Sequence, residues 1–410
     1  MNKIIFTLTM AICLLTTNLI FADGWTQKTD FGGTGRFGPF GFNIGTKGYI
    51  GLGSDAYPVY NFRKDFWEYD PTANTWTQKA DFGGTARYSP AVFVIGTIGY
   101  VFGGWDQANT FSDFWQYNQT TNTWTQKTDN GIMRTAGVGF AIGNKGYIGT
   151  GWDGSIDRND FWQYDPSNDT WTQMANFGGA GRVAGVGFAF DNLGFIGLGN
   201  TAYPGDNYVN DFWQYNQSSN TWTIVDSFPG IPREDPSCFT LFKKCYAGTG
   251  YDMSGNVLND FYMYDSQTNQ WTQKANYPPT AGMNGGTGFS VGSYGYYGTG
   301  MTQSNVPQKT FYQYNPSNVG IDEVSQTIFN VSLYPNPTNG KFKIDFTVSK
   351  PTSLDLSIVD ITGKIIHFEN KHLVSGYNQI TFDLSNEAKG MYFIELISEG
   401  NSIAKKVLID

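Results

Sequence analysis

The first 318 residues of this 410-residue chain contain no histidine, and both histidines, His367 and His372, lie beyond them. Copper and catalytic zinc usually take imidazole ligands, and a serine or cysteine nucleophile usually relies on a histidine base. We therefore predict no metal and no cofactor in this region. Glutamate is nearly as rare, since residues 23–318 contain only Glu68 and Glu234.

Charge is also scarce, and its balance is acidic. Charged residues make up 15% of the sequence, the net charge is −9 and the isoelectric point is near 4.8. This excess of acid disfavours nucleic acid as a partner, because phosphate backbones attract basic surfaces. Aromatic residues reach 17% and there are 51 glycines, which indicates a turn-rich globular β protein rather than a disordered chain.

Long apolar runs are absent except at the N-terminus. Residues 1–22 combine the basic Lys3, an apolar run from Ile4 to Phe21 and the small residue Ala22. This pattern predicts a secretory signal peptide that is removed near Ala22. A retained membrane anchor is the alternative.

A unit of about 49 residues recurs six times between residues 23 and 318. In five copies a tyrosine is followed seven residues later by a tryptophan, as in Tyr164 and Trp171. A glycine pair precedes the tyrosine in every copy, and an arginine such as Arg134 precedes the glycines in five of them; the sixth copy has Met283 instead. Self-similarity at a fixed period, in units with strand patterns and glycine turns, predicts a β-propeller.

Each unit contains four short stretches with strand character, separated by turn residues. Consecutive aromatics such as Phe161 and Trp162 require burial on both faces of a sheet, which blades packed between neighbours provide. The sixth copy lacks its tryptophan strand, whereas the segment that starts at Trp25 precedes the first copy. We therefore predict six four-stranded blades over residues 23–318, with the N-terminal strand completing the last blade.

The combination of a glycine pair, a tyrosine and a tryptophan at fixed spacing resembles the kelch repeat family. The resemblance covers roughly residues 24–318 and implies an all-β, six-bladed kelch-type β-propeller of the galactose oxidase/kelch-like superfamily. It does not imply one activity, because one fold hosts many functions.

The composition changes after residue 318, where tryptophan disappears. We predict a linker at 319–328 and a small Ig-like β-sandwich at 329–410, because about seven short stretches there alternate apolar and polar residues. This segment resembles the C-terminal sorting domain of the type IX secretion system of Bacteroidetes. The matching positions, in order along the chain, are Pro335, Asn336, Pro337, Gly340, Gly363, Gly390 and Tyr392.

The resemblance to the sorting domain implies that residues 329–410 bind the type IX secretion machinery. It also implies passage across the outer membrane, usually with removal of the domain. The expected location is therefore outside the cell, either released or at the outer cell surface.

Five arginines occupy the same position in their repeats, where the chain enters the inner strand: Arg36, Arg87, Arg134, Arg182 and Arg233. If they ring one mouth of the channel, they suit a carboxylate ligand such as a sialic acid. Alternatively, each arginine holds a loop by bonding backbone carbonyls. Glu234, followed by Asp235, is the place where an acid could join this ring, so Glu234 is the candidate catalytic acid.

The loops after the glycine pairs form a second candidate surface. They carry Tyr57, Trp105, Trp152 and Tyr203 together with several aspartates. Aromatic rings cover the apolar faces of sugars while carboxylates accept hydrogen bonds from hydroxyls. Tyr57 and Tyr203 lie three blades apart, which favours a cleft between their loops; the alternative is that these side chains fold back over the blade tops.

Cys238 and Cys245 replace residues that are glycine in most other copies. Export would permit a disulfide between them. If the hairpin keeps the register of the other blades, Thr240 lies opposite Cys245 and the two sulfurs lie on a diagonal. The sequence leaves the pairing open.

These observations lead to an exported, non-catalytic propeller that binds a glycan or a protein partner at the cell surface. The competing hypothesis is an enzyme that handles sialic acid, either an epimerase or a sialidase-like hydrolase, and uses the arginines.

Overall fold

The computed structural model describes residues 23–279, 282–316, 328–348, 351–360, 364–398 and 401–410. Their regular secondary structure is entirely β-strand, and the chain divides into two compact units between Ser317 and Asn318. The described ranges include no helix that is long and apolar enough to cross a membrane. The predicted signal peptide and most of the predicted linker lie outside the described residues.

The first unit consists of six four-stranded antiparallel sheets. In chain order its strands are β1 (Gly24–Gln27), β2 (Phe40–Ile44), β3 (Lys47–Gly51), β4 (Phe66–Asp70), β5 (Thr75–Gln78), β6 (Ala91–Ile95), β7 (Ile98–Phe102), β8 (Phe114–Asn118), β9 (Thr123–Lys127), β10 (Val138–Ile142), β11 (Lys145–Gly149), β12 (Phe161–Asp165), β13 (Thr170–Gln173), β14 (Val186–Phe190), β15 (Leu193–Gly197), β16 (Phe212–Asn216), β17 (Thr221–Val225), β18 (Ser237–Leu241), β19 (Lys244–Gly248), β20 (Phe261–Asp265), β21 (Gln270–Lys274), β22 (Thr287–Val291), β23 (Tyr294–Gly298) and β24 (Phe311–Asn315).

The six sheets close into a ring. Each innermost strand, namely β2, β6, β10, β14, β18 or β22, contacts the innermost strands of both neighbouring sheets. The predicted six-bladed propeller is therefore confirmed. In such a ring the sheet edges that remain are the short outermost strands of the blades, which limits edge-to-edge association.

The N-terminal strand β1 is the outermost strand of the sixth blade, as predicted. It pairs antiparallel with β24, so that Trp25 lies opposite Tyr314. The Trp25 indole N–H donates to the carbonyl of Ala275 in the fifth blade at 3.0 Å. The Tyr314 hydroxyl donates to the carboxylate of Asp23 at 2.7 Å. The two ends of the propeller sequence are thus joined within one sheet.

Glycine in the second strand of most blades is required by the packing between blades. An added Cβ on Gly146 would lie 2.1 Å from an edge carbon of Phe93 in the preceding blade. No side chain fits at that distance, so the phenylalanine of one blade is seated on the bare backbone of the next. In the fifth blade Cys245 occupies this position and is fully buried.

The second unit has seven strands in two sheets. They are β25 (Ile328–Tyr334), β26 (Lys341–Val348), β27 (Thr352–Asp360), β28 (Ile365–Leu373), β29 (Gly376–Asp383), β30 (Gly390–Ser398) and β31 (Asn401–Ile409). The sheet orders are β25-β26-β29 and β28-β27-β30-β31. Alternate residues of both sheets, such as Ile344 and Leu356, share one apolar core. The predicted small β-sandwich is confirmed.

Candidate ligand-binding cavity

One mouth of the propeller is closed by a ring of six backbone hydrogen bonds. In each, the N–H of one blade donates to the carbonyl of the preceding blade at 2.7 to 3.2 Å. All six residues have positive φ angles, between 50° and 61°. We call this set the hydrogen-bonded ring, and its members are Gly38, Ser89, Ala136, Ala184, Asp235 and Gly285.

Five members of the hydrogen-bonded ring, all except Gly285, form the floor of a cavity of about 430 Å³, which is large enough for a small ligand or a ligand side chain. Five of the six ring members are glycine, alanine or serine, so their small side chains do not fill the space above the floor. Asp235 is the exception, and its carboxyl group therefore lies at the floor of the cavity.

Aromatic side chains form much of the cavity wall. On the side of the first two blades, Tyr60 stands with its ring edge-on to Trp105, with centroids 5.5 Å apart. On the opposite side, Trp152 and Tyr203 pack edge-to-face at the same separation. The aromatic lining residues are Phe37, Tyr57, Tyr60, Tyr88, Trp105, Trp152, Tyr203 and Tyr251.

Tyr57 and Tyr203 line the same cavity from blades on opposite sides of the propeller. Each remains 44% exposed, so a ligand can reach both rings. Burial, followed by the nearby hydroxyls of Tyr57 and Tyr203, raises the pKa of Tyr60. The two long loops therefore each contribute a tyrosine to one cavity. Tyr57 also packs on Phe37 and Tyr60 of its own blade, so a role of either tyrosine in binding stays a prediction.

Two adjacent acids lie against the floor. Glu234 is 8% exposed and accepts a hydrogen bond from the hydroxyl of Tyr251. Burial, with the neighbouring Asp235 adding to it, raises the pKa of Glu234 to about 8. Burial also raises the pKa of Asp235 to about 6. Both carboxyl groups are therefore poorly solvated when no ligand is present.

The repeat arginines lie in the scaffold rather than in the cavity wall. Arg182 is typical: its guanidinium donates to both oxygens of Asp211, at 2.7 and 2.9 Å, and to the carbonyl of Leu198 at 3.2 Å. All five arginines are at most 1% exposed and have an equivalent aspartate partner, namely Asp65, Asp113, Asp160, Asp211 or Asp260.

Burial and pairing correct the expectation that these arginines ring the channel mouth. Most of their donors already bond aspartate or backbone carbonyl oxygens, and none of the five arginines lines the cavity, so they are not available to a carboxylate ligand there. In the sixth blade both members of the pair are replaced, the arginine by Met283 and the aspartate by Thr310. The joint replacement is what a structural pair would require, because either charge alone would be buried without a partner.

The structure therefore gathers Tyr57, Trp105, Trp152, Tyr203 and Glu234 in one cavity and leaves the five arginines outside it. Sequence reasoning did not single out Tyr88 or the floor position of Asp235. The signal was present, because the two residues after each repeat arginine face the cavity. Their role depends on the left-handed backbone of the hydrogen-bonded ring, which the repeat pattern does not reveal.

Cys238 and Cys245 are both free thiols. Strand pairing places Thr240 opposite Cys245 and Ala247 opposite Cys238, so the cysteines lie on a diagonal as the repeat register predicted. Burial, with the Cys238 thiol beside it, raises the pKa of Cys245. Neither cysteine lines the cavity.

In the second unit, Asn336 of the predicted sorting motif ties the N-terminal segment to the last strand, β31. Its side-chain amide donates to the carbonyl of Lys406 at 2.8 Å and accepts from the N–H of Leu408 at 2.9 Å. Gly340 has a φ of 104°, and an added Cβ there would lie 2.5 Å from the Ser385 Cα.

Of the remaining positions of the motif, Gly390 and Tyr392 belong to strand β30. Pro335 and Pro337 flank Asn336, and Gly390 begins β30. Tyr392 is 5% exposed in the core. Gly363 lies outside the described residues.

Comparison with known proteins identifies both units. Residues 44–187 match the KLHDC2/KLHL20/DRC7 Kelch-repeats domain and residues 250–276 match the Kelch motif. Residues 332–410 match the secretion system C-terminal sorting domain. The chain is a kelch-repeat propeller followed by a type IX sorting domain.

The sorting domain marks the kelch propeller for type IX export, to the medium or the outer cell surface. The solved structure of YjhT matches with a TM-score of 0.59 at 15% sequence identity, over 70% of this chain and 95% of YjhT. At that identity the likeness concerns the fold alone. No curated protein sequence matches this chain.

Proposed function

We propose that this protein is an exported, non-catalytic binding module, which takes a glycan or a protein partner in the cavity above the hydrogen-bonded ring. The observation that carries the proposal is that eight aromatic side chains from several blades line one cavity above the hydrogen-bonded ring. Cavities with aromatic walls and a few polar groups are the usual form of a binding site. The blades that hold these side chains form a closed ring, so the site is rigid and little ordering is needed on binding.

The described geometry gives little support to the competing sialic-acid enzyme. A sialic acid carries a carboxylate, which needs a positive or strongly donating site. The residues that line the cavity include Glu234 and Asp235 but neither arginine nor lysine. An anionic sugar would therefore meet repulsion at the floor, where the fit would have to be best.

The predicted signal peptide and the sorting domain add an expectation about processing. We expect residues 1–22 to be removed as a signal peptide, and the sorting domain to be lost after export. Mass spectrometry of the protein recovered from the medium and from the cell surface measures this directly. A full-length protein confined to the periplasm would contradict the expectation.

A glycan array, combined with purified candidate surface proteins and a sialic-acid turnover assay, tests the binding proposal. We expect binding without turnover, and loss of that binding in Trp105→Ala and Trp152→Ala. Tyr294→Ala is a matched control, because Tyr294 is an exposed aromatic residue on the hairpin at the far end of the sixth blade. Turnover, or binding that survives both tryptophan changes, would overturn the proposal.

A further inference from the structure

We propose that the cavity recognises an organic cation, namely the guanidinium or ammonium end of an arginine or lysine side chain on a partner polypeptide. This inference rests on the proposed binding function and names the chemistry of its ligand. It follows from three properties of the cavity: the sign of its charge, the unpaired acid at its floor and the aromatic faces around that acid.

The charge at the cavity has one sign among the described residues. Glu234 and Asp235 line it, and no lysine or arginine does. Two arginines of the loops that follow the glycine pairs are themselves paired, Arg63 with Asp55 and Arg158 with Asp153. A cation entering the cavity therefore meets carboxyl groups without a competing protein cation.

Asp235 is the acid that lacks a partner. The five repeat aspartates each hold a guanidinium, whereas no described residue donates a hydrogen bond to the Asp235 carboxyl group, and burial raises its pKa. A desolvated, unpaired carboxylate is costly. A bound guanidinium or ammonium group would supply the missing counter-charge, much as Arg182 does for Asp211 in the scaffold.

Aromatic rings stand close to this carboxyl group. The charge of Asp235 contributes to raising the pKa of Tyr60, Tyr88 and Tyr203, after burial as the largest cause. The three tyrosines and Asp235 also line the same cavity, and the tyrosines come from three blades. A cation in this cavity would gain from the carboxylate and from contact with aromatic rings.

A side chain of a polypeptide fits this arrangement better than an amino sugar does. Lysine and arginine carry their charge at the end of an apolar stem, so the stem can contact the aromatic wall while the charge reaches the floor. In an amino sugar the ammonium is flanked by hydroxyl groups, each of which needs its own hydrogen-bond partner within a largely aromatic wall. We therefore assign the cavity to a basic side chain.

The test uses calorimetry on the purified protein with two pairs of short peptides. Acetyl-Gly-Arg-Gly-amide is compared with its citrulline counterpart, which has the same shape without the charge, and the lysine peptide with its norleucine counterpart. A glucosamine oligomer and its N-acetylated form are the sugar probes. We expect a basic peptide to bind at millimolar concentration or tighter, and at least about tenfold better than its neutral counterpart.

Asp235→Asn should weaken binding of the basic peptide by about tenfold or more, because it removes the charge but keeps the size and tolerates the positive φ. Asp191→Asn is the matched control, since Asp191 is an exposed residue on the hairpin between β14 and β15. Binding of the arginine peptide should also strengthen between pH 5 and pH 8, because Asp235 loses its proton over this range and Glu234 begins to lose its own, while the ligand keeps its charge.

Glu234 and Asp235 face each other and several other polar groups, some of which can also titrate. The pH profile of binding must therefore be compared with the profile of Asp235→Asn. The other groups are Asn200, Asp206, Tyr208 and Tyr251 around Glu234, and Tyr60, Tyr88, Tyr203 and Tyr297 around Asp235. In the variant the rise in affinity near pH 6 should be absent.

The outcomes separate this inference from the proposed function. Equal binding of charged and neutral peptides, or no binding of either basic peptide up to about 10 mM, would overturn the inference. Binding of the glucosamine oligomer alone would overturn the assignment to a polypeptide. If a neutral glycan binds and is lost in Trp152→Ala but not in Asp235→Asn, the proposed function stands and the cation inference fails.

Discussion

Replacing Asp211 by asparagine should lower the free energy of unfolding of the propeller by about 2–4 kcal/mol. Asp211 accepts two hydrogen bonds from Arg182 and one, at 2.7 Å, from the indole N–H of Trp213. Asparagine keeps the shape but offers one acceptor in place of two and removes the charge. The guanidinium of Arg182, 1% exposed, then lacks a counter-charge.

The magnitude follows from the exposure of the two partners. Removing one member of a buried ion pair costs about 3–5 kcal/mol. The side chain of Asp211 is 28% exposed, so water screens part of the pair and reduces that cost. We therefore expect a destabilisation of about 2–4 kcal/mol, somewhat below the cost for a fully buried pair. An exposed pair such as Lys243 and Asp191 should contribute no more than about 0.5 kcal/mol by the same reasoning.

A double-mutant cycle tests whether the pair acts as a unit. The sixth blade carries methionine and threonine at these two positions, so Arg182→Met combined with Asp211→Thr reproduces a pairing that the ring already contains. We expect the loss in free energy of unfolding in the double variant to be smaller, by at least about 1.5 kcal/mol, than the sum of the losses in the two single variants. The second change removes a carboxylate that the first leaves without its partner.

The measurement is urea unfolding followed by tryptophan fluorescence, with Asp191→Asn as the control for loss of one negative charge. Additive single and double variants would refute the interpretation of the arginines as paired scaffold residues. Unchanged urea midpoints in both single variants would also refute it. Binding at the cavity should be unaffected in any of these variants that folds, because neither Arg182 nor Asp211 lines it.

Two further predictions follow from ring closure and from the acids at the floor. Trp25→Ala should lower the free energy of unfolding by about 3–5 kcal/mol, because Trp25 packs on Phe261, Tyr277 and Tyr314. It should also open the ring, so that limited proteolysis cuts the chain before Phe40. Trp76→Ala, at the equivalent position of the first blade, should keep the ring closed, and equal protease resistance of the two variants would count against the prediction. Glu234→Gln should gain stability relative to the wild type as the pH rises from about 4 to 8 in urea titrations. The folded wild type keeps a proton on Glu234 up to about pH 8, whereas the unfolded chain releases it near pH 4.3, so the free energy of unfolding of the wild type falls with pH over this range. If the stability of Glu234→Gln relative to the wild type fell instead with rising pH, the raised pKa of Glu234 would be contradicted.

The architecture could be predicted almost completely from the sequence. A repeat of fixed period specifies one structural unit per copy, and the position of Trp25 before the first copy, with no tryptophan strand after Tyr314, specified how the ring closes. Alternating strands and the ordered motif around Asn336 did the same for the sorting domain. These features are local in sequence, because strand patterns, turns and motif spacing are set by residues near one another.

The chemistry of the cavity was decided by the tertiary structure. The repeat register placed five arginines at equivalent positions, but it could not show that each guanidinium would meet an aspartate more than 25 residues further on. Nor could it show that Asp235 would occupy the floor without such a partner. Pairing of this kind depends on which side chains the fold brings within hydrogen-bonding distance, and burial then fixes which charges stay available to a ligand.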